Sequence, residues 1–208
     1  MNLNHISSHV KKEIERFRST FKGAERMHVV LETSFDSDNP AVAYANKETG
    51  SVHIYLDNVE MDMDLFEILI HEDLGHLLTP NVLNTQKSFA KLYRLILDSQ
   101  IFNNERKEIE KYYSSNTQSL AKKASELDID PVKYTDFIYS CEFISIWFQN
   151  NYNLKATNHY KDKLKRLFNN RIYRDPIIYL SQYLYLYQNE TIIRPSNWNS
   201  PGITENKH

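Results

Sequence analysis

Cysteine is almost absent from this chain, and glycine is scarce. Among its 208 residues there is one cysteine, Cys141, and there are four glycines. A lone cysteine excludes an intrachain disulfide and also excludes a zinc site built from several thiolates. A chain of this length can bury most of its apolar surface without disulfide bonds. We therefore expect a globular protein of a reducing compartment, and we predict a cytoplasmic location.

Long apolar runs and a strong net charge are missing as well. The apolar stretches are all far shorter than the roughly 20 residues that a membrane-spanning helix needs. Residues 1–17 lack the apolar core of a signal peptide. The net charge of −2 provides no broad basic surface of the kind that drives non-specific nucleic-acid binding. We therefore expect neither a membrane nor a nucleic acid as a partner.

The residues that favour strands lie near the start of the chain. Residues 6–22 have the spacing of an amphipathic helix, and residues 27–33 are rich in strand formers. Apolar and polar side chains alternate over residues 51–56, which is the period of a half-buried strand. Together with residues 41–46 this segment is predicted to form a hairpin. The first part of the chain thus predicts one helix and about three strands.

From Met63 onwards the apolar residues recur with a helical period, and Asp62 or Asp64 can cap the first of these helices. Strands and helices are thus segregated along the chain, which predicts an α+β fold with a small sheet packed on mostly helical structure. The helices are predicted over residues 63–78, 85–113, 116–127, 132–150, 157–170 and 175–189.

The predicted elements fit one domain followed by a tail. We expect the domain to span residues 1–193, with the sheet and the candidate site in residues 1–114 and a helical half in residues 115–193. Residues 194–208 are rich in proline, serine and asparagine. They are predicted to be loose, because termini of this composition rarely pack.

One segment of the helix over residues 63–78 carries residues with a recognisable chemistry. It reads His71-Glu72-Asp73-Leu74-Gly75-His76. Two neutral imidazoles on one helix can bind a zinc ion, a third protein ligand completes the set, and the open coordination position admits water. A neighbouring glutamate can take the proton from that water as it attacks a carbonyl. The segment therefore predicts His71 and His76 as zinc ligands and Glu72 as a general base.

The two histidines are one residue further apart than in the common H-E-x-x-H motif. On an ideal α-helix, residues five apart point about 140° away from each other. Both imidazoles can face one metal ion only where the helix is locally widened, as in a π-bulge. Gly75 is the position where such a distortion causes the least side-chain crowding. We therefore predict that the helix widens near Gly75.

The pattern H-E-x-x-G-H resembles the zinc site of the dipeptidyl peptidase III family over these six residues. A strand, a short loop and a helix that carries the first histidine is also the layout common to zincins. The resemblance implies a zincin-like zinc metallopeptidase, that is, a metal-binding hydrolase. It also implies Zn²⁺ as the cofactor and a peptide or protein as the substrate.

The third ligand is expected to be a carboxylate in apolar surroundings. Asp98 lies twenty-two positions after His76, and its helical neighbours are Leu95, Ile101 and Phe102. A buried carboxylate needs a partner, and a metal ion is a suitable one. This residue pattern therefore favours Asp98 as the third ligand.

A second resemblance bears on the same choice. Residues 52–105 are similar to metallopeptidases associated with von Willebrand A domains, in which an aspartate among apolar residues is the third ligand, and this implies Asp98. Glu105 lies two turns further on and is predicted as a ligand or as a neighbour of one. Glu142 is the remaining candidate, because its separation from the motif is nearer to that of some glutamate-liganded zincins.

Two other functions stay open. The phrase IHEDLGHLLTP is similar to the His-Asp-x-Gly-His phrase of HD-type phosphohydrolases, but that interpretation passes over Glu72 and expects helices alone around the motif. The other alternative is a non-catalytic assembly or scaffold protein with a zincin-like fold, in a virion or another large complex. The unusual motif spacing leaves room for it. The aromatic segment 179–188 is predicted to lie in the core or to contact a protein partner.

Overall fold

The computed structural model describes residues 3–33, 41–83, 86–113, 117–153 and 176–206. These residues form a small four-stranded sheet packed against helices. The predicted α+β class is confirmed, and the sheet has one strand more than the three that were expected. The helix predicted over residues 157–170 lies outside the described residues.

The first helix, α1, spans Leu3–Thr20. Val10, Ile14 and Phe17 are fully buried at the three- to four-residue spacing of an amphipathic helix. The ring of Phe17 meets that of Phe66 edge-to-face, with 5.1 Å between their centroids. Aromatic contact thus fixes α1 against the helix that leads into the motif.

The sheet contains β1 (His28–Glu32), β2 (Ala43–Asn46), β3 (Ser51–Tyr55) and β4 (Gly202–Glu205). Their order is β2-β3-β1-β4, with β1 parallel to both β3 and β4, and β2 antiparallel to β3. The side chains of β1 and β3 that face the helices are apolar, as the alternating pattern predicts. Strand β2 is an edge strand, so one row of its backbone groups points away from the sheet.

The motif lies in a helix that changes form along its length. Helix α2 (Leu65–Ile70) begins at the N-cap Asp64, whose carboxylate accepts a hydrogen bond of 2.9 Å from the Phe66 amide. The chain continues as a π-helix over His71–Leu78 and returns to α-helical form in α3 (Thr79–Asn81). The helix predicted over residues 63–78 is observed over residues 65–81, so it ends three residues later than expected, and of the two predicted caps Asp64 is the N-cap.

The long helix predicted over residues 85–113 is two helices, and that prediction is wrong. Helix α4 spans Gln86–Leu97 and α5 spans Gln100–Tyr113. The Ser99 side chain accepts a hydrogen bond from the Ile101 amide, at 3.2 Å. A serine that caps a new helix in this way competes with continuation of the old one.

The remaining helices supply much of the core. They are α6 (Thr117–Glu126), α7 (Pro131–Asn151) and α8 (Pro176–Asn189). Helix α7 packs along the π-helix. The aromatic segment 179–188 lies in α8, and its buried residues are Leu180, Tyr183, Leu184 and Tyr187. One face of this segment is therefore core, as one of the two interpretations of its sequence predicts.

The prediction of a loose tail from Arg194 is wrong. Strand β4 pairs with β1, and the Arg194 guanidinium forms an ion pair with the buried Asp73 at 2.6 Å. Trp198 lies against Gly50, where an added Cβ would be 2.0 Å from its ring. The four residues of β4 are too few for a periodic signal, and their partner strand is far away in sequence, so composition alone was misleading.

None of the helices in the described ranges is long and apolar enough to cross a membrane.

Candidate metal centre

The π-helix brings the two histidines of the motif together. Residues five apart lie about one turn apart in a π-helix, because its hydrogen bonds join residues i and i+5. The Nε2 atoms of His71 and His76 are 3.2 Å from each other. The predicted widening is confirmed, and it extends over the whole motif rather than over Gly75 alone.

The structure gives a second reason for glycine at position 75. A Cβ atom there would lie 2.2 Å from Ser145 Oγ and 2.8 Å from Ser145 Cα, so the π-helix and α7 are in direct backbone contact. At the end of the π-helix, the Thr79 hydroxyl donates a hydrogen bond of 2.7 Å to the Leu74 carbonyl, five residues earlier. Close packing and a side-chain hydrogen bond thus both support the widened helix.

Glu142 on α7 is the carboxylate that completes the cluster. Its Oε1 atom is 3.3 Å from His76 Nε2, and its Oε2 atom is 3.7 Å from His71 Nε2. Among the described residues, His71, His76 and Glu142 form the one group of three His, Cys, Asp or Glu side chains that is close enough to hold a metal ion.

The prediction that Asp98 lies beside the two histidines is wrong, because the carboxylate in that place is Glu142. Asp98 is exposed and lies in the break between α4 and α5, so it does not point from the apolar face of a continuous helix. Glu105 is also exposed, on the wall of the cavity in front of the cluster, and is not part of the cluster. Both errors follow from treating residues 85–113 as one helix.

The spacing of the three groups fits a tetrahedral ion. In a tetrahedral zinc site with bonds of about 2.1 Å, two ligand atoms are about 3.4 Å apart. The observed separations are 3.2 Å between the two imidazole nitrogens, 3.3 Å from His76 to Glu142 and 3.7 Å from His71 to Glu142, all within about 0.3 Å of this value. Two imidazoles and one carboxylate also form a common ligand set of catalytic zinc, which leaves a fourth position open.

A chain of two hydrogen bonds behind His71 determines which of its ring nitrogens carries the proton. Gln149 Nε2 donates to Glu67 Oε2 at 3.3 Å, and Gln149 Oε1 lies 3.1 Å from His71 Nδ1. A carboxylate only accepts, so the Gln149 amide nitrogen faces Glu67 and its oxygen faces the imidazole. His71 Nδ1 is then the protonated nitrogen, and the lone pair of Nε2 points towards His76 and Glu142.

Tyr113, at the end of α5, contacts the carboxylate of Glu142. Its hydroxyl donates a hydrogen bond of 2.5 Å to Glu142 Oε1. Neither Gln149 nor Tyr113 was predicted from the sequence as part of the site. Gln149 follows Glu142 by seven residues, or about two turns, so its place on the same face of α7 could have been found once Glu142 was chosen.

Burial and mutual charge shape the acidity of the three groups. Burial, together with the neighbouring His76, lowers the pKa of His71 to about 4, although Glu142 and the hydrogen bond with Gln149 act in the opposite direction. Burial acts to lower the pKa of His76 too, but its hydrogen bond with Glu142 and the charge of that carboxylate raise it overall. Burial acts to raise the pKa of Glu142, yet His76 and Tyr113 bring it down to about 2.

Glu72 lies in the same cavity and outside the cluster of three. Burial raises the pKa of its carboxyl group above the usual value, and Glu142 adds to this, while His76 and the Ala45 amide oppose it. A raised pKa makes a carboxylate a better proton acceptor near neutral pH. Glu72 thus lines the same cavity as the two histidines.

Strand β2 forms one wall of the cavity. The Tyr55 amide donates a hydrogen bond of 2.9 Å to the Val42 carbonyl, so the backbone groups of Val42 face β3. Backbone direction alternates along a strand, and Ala43 and Ala45 therefore direct their backbone groups away from β3. Both residues line the cavity, and the Ala45 amide bonds the Glu72 carboxylate.

The cavity has a volume of about 680 Å³ and lies between β2 and helices α5, α6 and α7. This size is within the range of ligand and substrate pockets in proteins. The histidines, Glu72 and Glu142 are grouped within its lining. The arrangement therefore combines metal-binding groups, a carboxylate that can accept a proton and room for a substrate.

Asp73 points the other way, into the core. It is fully buried, and its carboxylate accepts two hydrogen bonds of 2.6 Å from Arg194 and one of 2.7 Å from the Tyr187 hydroxyl. Buried charges of this kind are stable only when they are paired. The pair connects the motif helix to the C-terminal segment, and no local pattern in the sequence indicates it.

Comparison with known proteins adds nothing to these observations. No protein-family model, no curated protein and no solved structure matches this chain.

Proposed function

We propose that the protein is a zincin-like, zinc-dependent peptidase. The observation that carries the proposal is the convergence of His71 Nε2, His76 Nε2 and the Glu142 carboxylate, at 3.2 Å and 3.3 Å, inside a cavity that also contains Glu72. The H-E-x-x-G-H motif supports the same assignment, because its extra residue is accommodated by a π-helix.

His71, His76 and Glu142 would hold the ion. Bound zinc would supply a Lewis acid that polarises a carbonyl and lowers the pKa of water to about 7. Glu72 accepts a proton from the attacking water on its carboxylate and returns it to the nitrogen of the amine that leaves. Its raised pKa suits both transfers. Gln149 orients His71 through its Nδ1 hydrogen bond, and Tyr113 orients Glu142.

A peptide is the substrate that the cavity walls favour. The backbone groups of Ala43 and Ala45 point away from β3 on the side that lines the cavity. Because the Ala45 amide bonds Glu72, an extended peptide would pair through main-chain hydrogen bonds with Ala43 and with the Ala45 carbonyl, and would place one of its own carbonyls before Glu72. We infer that the substrate chain runs along β2.

Metal content and hydrolysis test the proposal together. We expect purified untagged protein to contain about one zinc ion per chain, and His71→Ala or His76→Ala to abolish binding, because a three-ligand site tolerates no loss. Glu72→Gln is expected to keep the zinc and lose peptide hydrolysis by a factor of roughly 100 or more. The control Glu48→Gln changes an exposed carboxylate of the β2–β3 turn and should alter neither property.

The outcome also decides between the alternatives. Protein without zinc would refute the peptidase and leave the assembly or scaffold hypothesis. Equal hydrolysis by the wild type and Glu72→Gln would remove Glu72 from the mechanism. The HD-type hypothesis has less support, because Asp73, the aspartate of that phrase, is fully buried in its pair with Arg194.

A further inference from the structure

The wall of the cavity opposite β2 is apolar. It is formed by α5, α6 and α7, and its apolar side chains are Ile109, Leu120, Ile138 and Ile146. Ile109 is buried, whereas the other three are half-buried. Part of their apolar surface is therefore left for a ligand to cover, and covering it is favourable. The surface belongs to the same cavity as His71 and Glu142, so its occupant would lie beside the reacting bond.

The rim on this side of the cavity is acidic. Glu105 and Glu108 are exposed on α5 and line the cavity. Two cations lie between these glutamates in the sequence: Arg106 is engaged by Glu110 at 2.8 Å and by Asp136 at 2.7 Å, and Lys107 does not line the cavity. Across the cavity, Lys47 provides the opposite charge at the end of β2. A ligand that follows the apolar wall outwards thus meets negative charge.

We propose that the cavity selects peptides that carry a large apolar side chain next to the scissile bond and a basic side chain beyond it. The apolar side chain lies against Leu120, Ile138 and Ile146, and the basic one lies near Glu105 and Glu108. This proposal rests on the proposed peptidase function and specifies its substrate class.

Hydrolysis of a defined peptide set tests the selection. The zinc-loaded protein is assayed with fluorogenic peptides. They carry Leu, Phe, Ala or Asp next to the scissile bond, and Arg, Gln or Glu at the position beyond it. We expect kcat/KM to be at least about tenfold higher for Leu or Phe than for Ala, as is usual for apolar pockets. Arg should exceed Glu by roughly two- to fivefold per rim carboxylate, and the difference should shrink at high salt.

Two kinds of variant assign the preferences to residues. Leu120→Trp fills the apolar wall and is expected to reduce the preference for Phe over Ala. Glu105→Lys combined with Glu108→Lys should reverse the preference for Arg over Glu, and both positions are exposed, so folding is preserved. Glu126→Lys, an exposed carboxylate of α6 that does not line the cavity, is the matched control.

Binding of the same labelled peptides to the Glu72→Gln protein separates the two proposals. If the wild type cleaves no peptide but this variant binds the apolar-basic peptide most tightly, the peptidase fails and the subsite stands. If Ala and Leu peptides are cleaved and bound equally, the apolar subsite is overturned. If the double lysine variant keeps the preference for Arg, the role of the acidic rim is overturned. Absence of both cleavage and binding refutes the substrate class.

Discussion

Neighbouring residues of the motif face opposite sides of the π-helix and perform different tasks. Glu72 lines the cavity, whereas Asp73 is fully buried in hydrogen bonds with Arg194 and Tyr187. The carboxylate chemistry is the same, and only the surroundings differ. Burial raises the pKa of Glu72 despite the opposing effects of His76 and Lys47, and a raised pKa makes the carboxylate a better proton acceptor.

Gln149 allows a prediction about metal affinity. Its amide oxygen accepts from His71 Nδ1 and so directs the lone pair of Nε2 towards His76 and Glu142, where the proposed zinc ion would bind. We expect Gln149→Ala to raise the zinc dissociation constant by roughly 10- to 100-fold, as measured by competition with a chromogenic chelator. The control Asn150→Ala changes an exposed residue of the same helix and should leave it unaltered. An unchanged affinity for Gln149→Ala would show that the tautomer is set by other means.

At the scale of elements, the contact between the π-helix and α7 determines the site. Helix α7 contributes Glu142 and Gln149, and it can do so because Gly75 lets the two backbones approach each other. Without that approach, the carboxylate would stand further from both histidines. The same glycine therefore serves both the width of the helix and the distance to its neighbour.

Gly75→Ala is predicted to destabilise the protein by about 1–3 kcal/mol, which is typical for overpacking a tight contact. The added Cβ would lie 2.8 Å from the Ser145 backbone, so α7 must shift, and zinc affinity should fall as well. Gly202→Ala is the control, since its Cβ would meet no heavy atom closer than 3.9 Å. Urea unfolding measures both variants. A loss of stability in the control as large as that in Gly75→Ala would contradict the packing argument.

The buried tyrosines of helix α8 are expected to make the protein less stable in alkaline solution. Burial raises the pKa of Tyr183 to about 12, and it raises that of Tyr187 above the usual value too. A tyrosine in the unfolded chain ionises near pH 10, whereas these two stay protonated in the folded chain. The two protonated tyrosines therefore contribute fully to the free energy of unfolding below about pH 10. This contribution is lost as the pH rises further, at up to about 1.4 kcal/mol per pH unit for each group.

Urea unfolding at several pH values from neutral to strongly alkaline tests this expectation. Tyr183→Phe should reduce the steepness of the decline above about pH 10. A decline of unchanged steepness in Tyr183→Phe would contradict the assignment.

At the scale of the whole molecule, the C-terminal segment closes the fold around the motif helix. Arg194 binds Asp73, Trp198 packs against Gly50, and β4 completes the sheet. The chain returns from its helical half to its first strands. Core side chains from the sheet and from helices of both predicted halves accordingly form one cluster.

Removal of residues 194–208 is predicted to destabilise the protein by at least about 3–5 kcal/mol, because the buried Asp73 then has no counter-ion. Removal of residues 207–208 alone keeps Arg194 and β4 and serves as the control. Thermal and urea unfolding of the two truncated chains give the comparison. If both chains unfold like the full chain, the segment is dispensable and the original expectation of a loose tail holds.

Local patterns in the sequence were sufficient for several features. The alternation in residues 51–56 and the helical period after Met63 depend on neighbours within a few residues, so they indicate β3 and α2 without knowledge of the fold. The motif spacing required a widened helix, since a regular α-helix would point His71 and His76 about 140° away from each other. The π-helix follows from that geometric demand.

Only the tertiary structure decided which carboxylate joins the histidines and where the tail goes. Glu142 and Asp98 are both acidic residues near apolar ones, and their difference arises from the break at Ser99 and from the path of α7 across Gly75. Strand β4 and the Asp73–Arg194 pair depend on partners far away in sequence. Periodicity reports which face of an element is buried, but contacts between distant elements are set by packing of the whole chain.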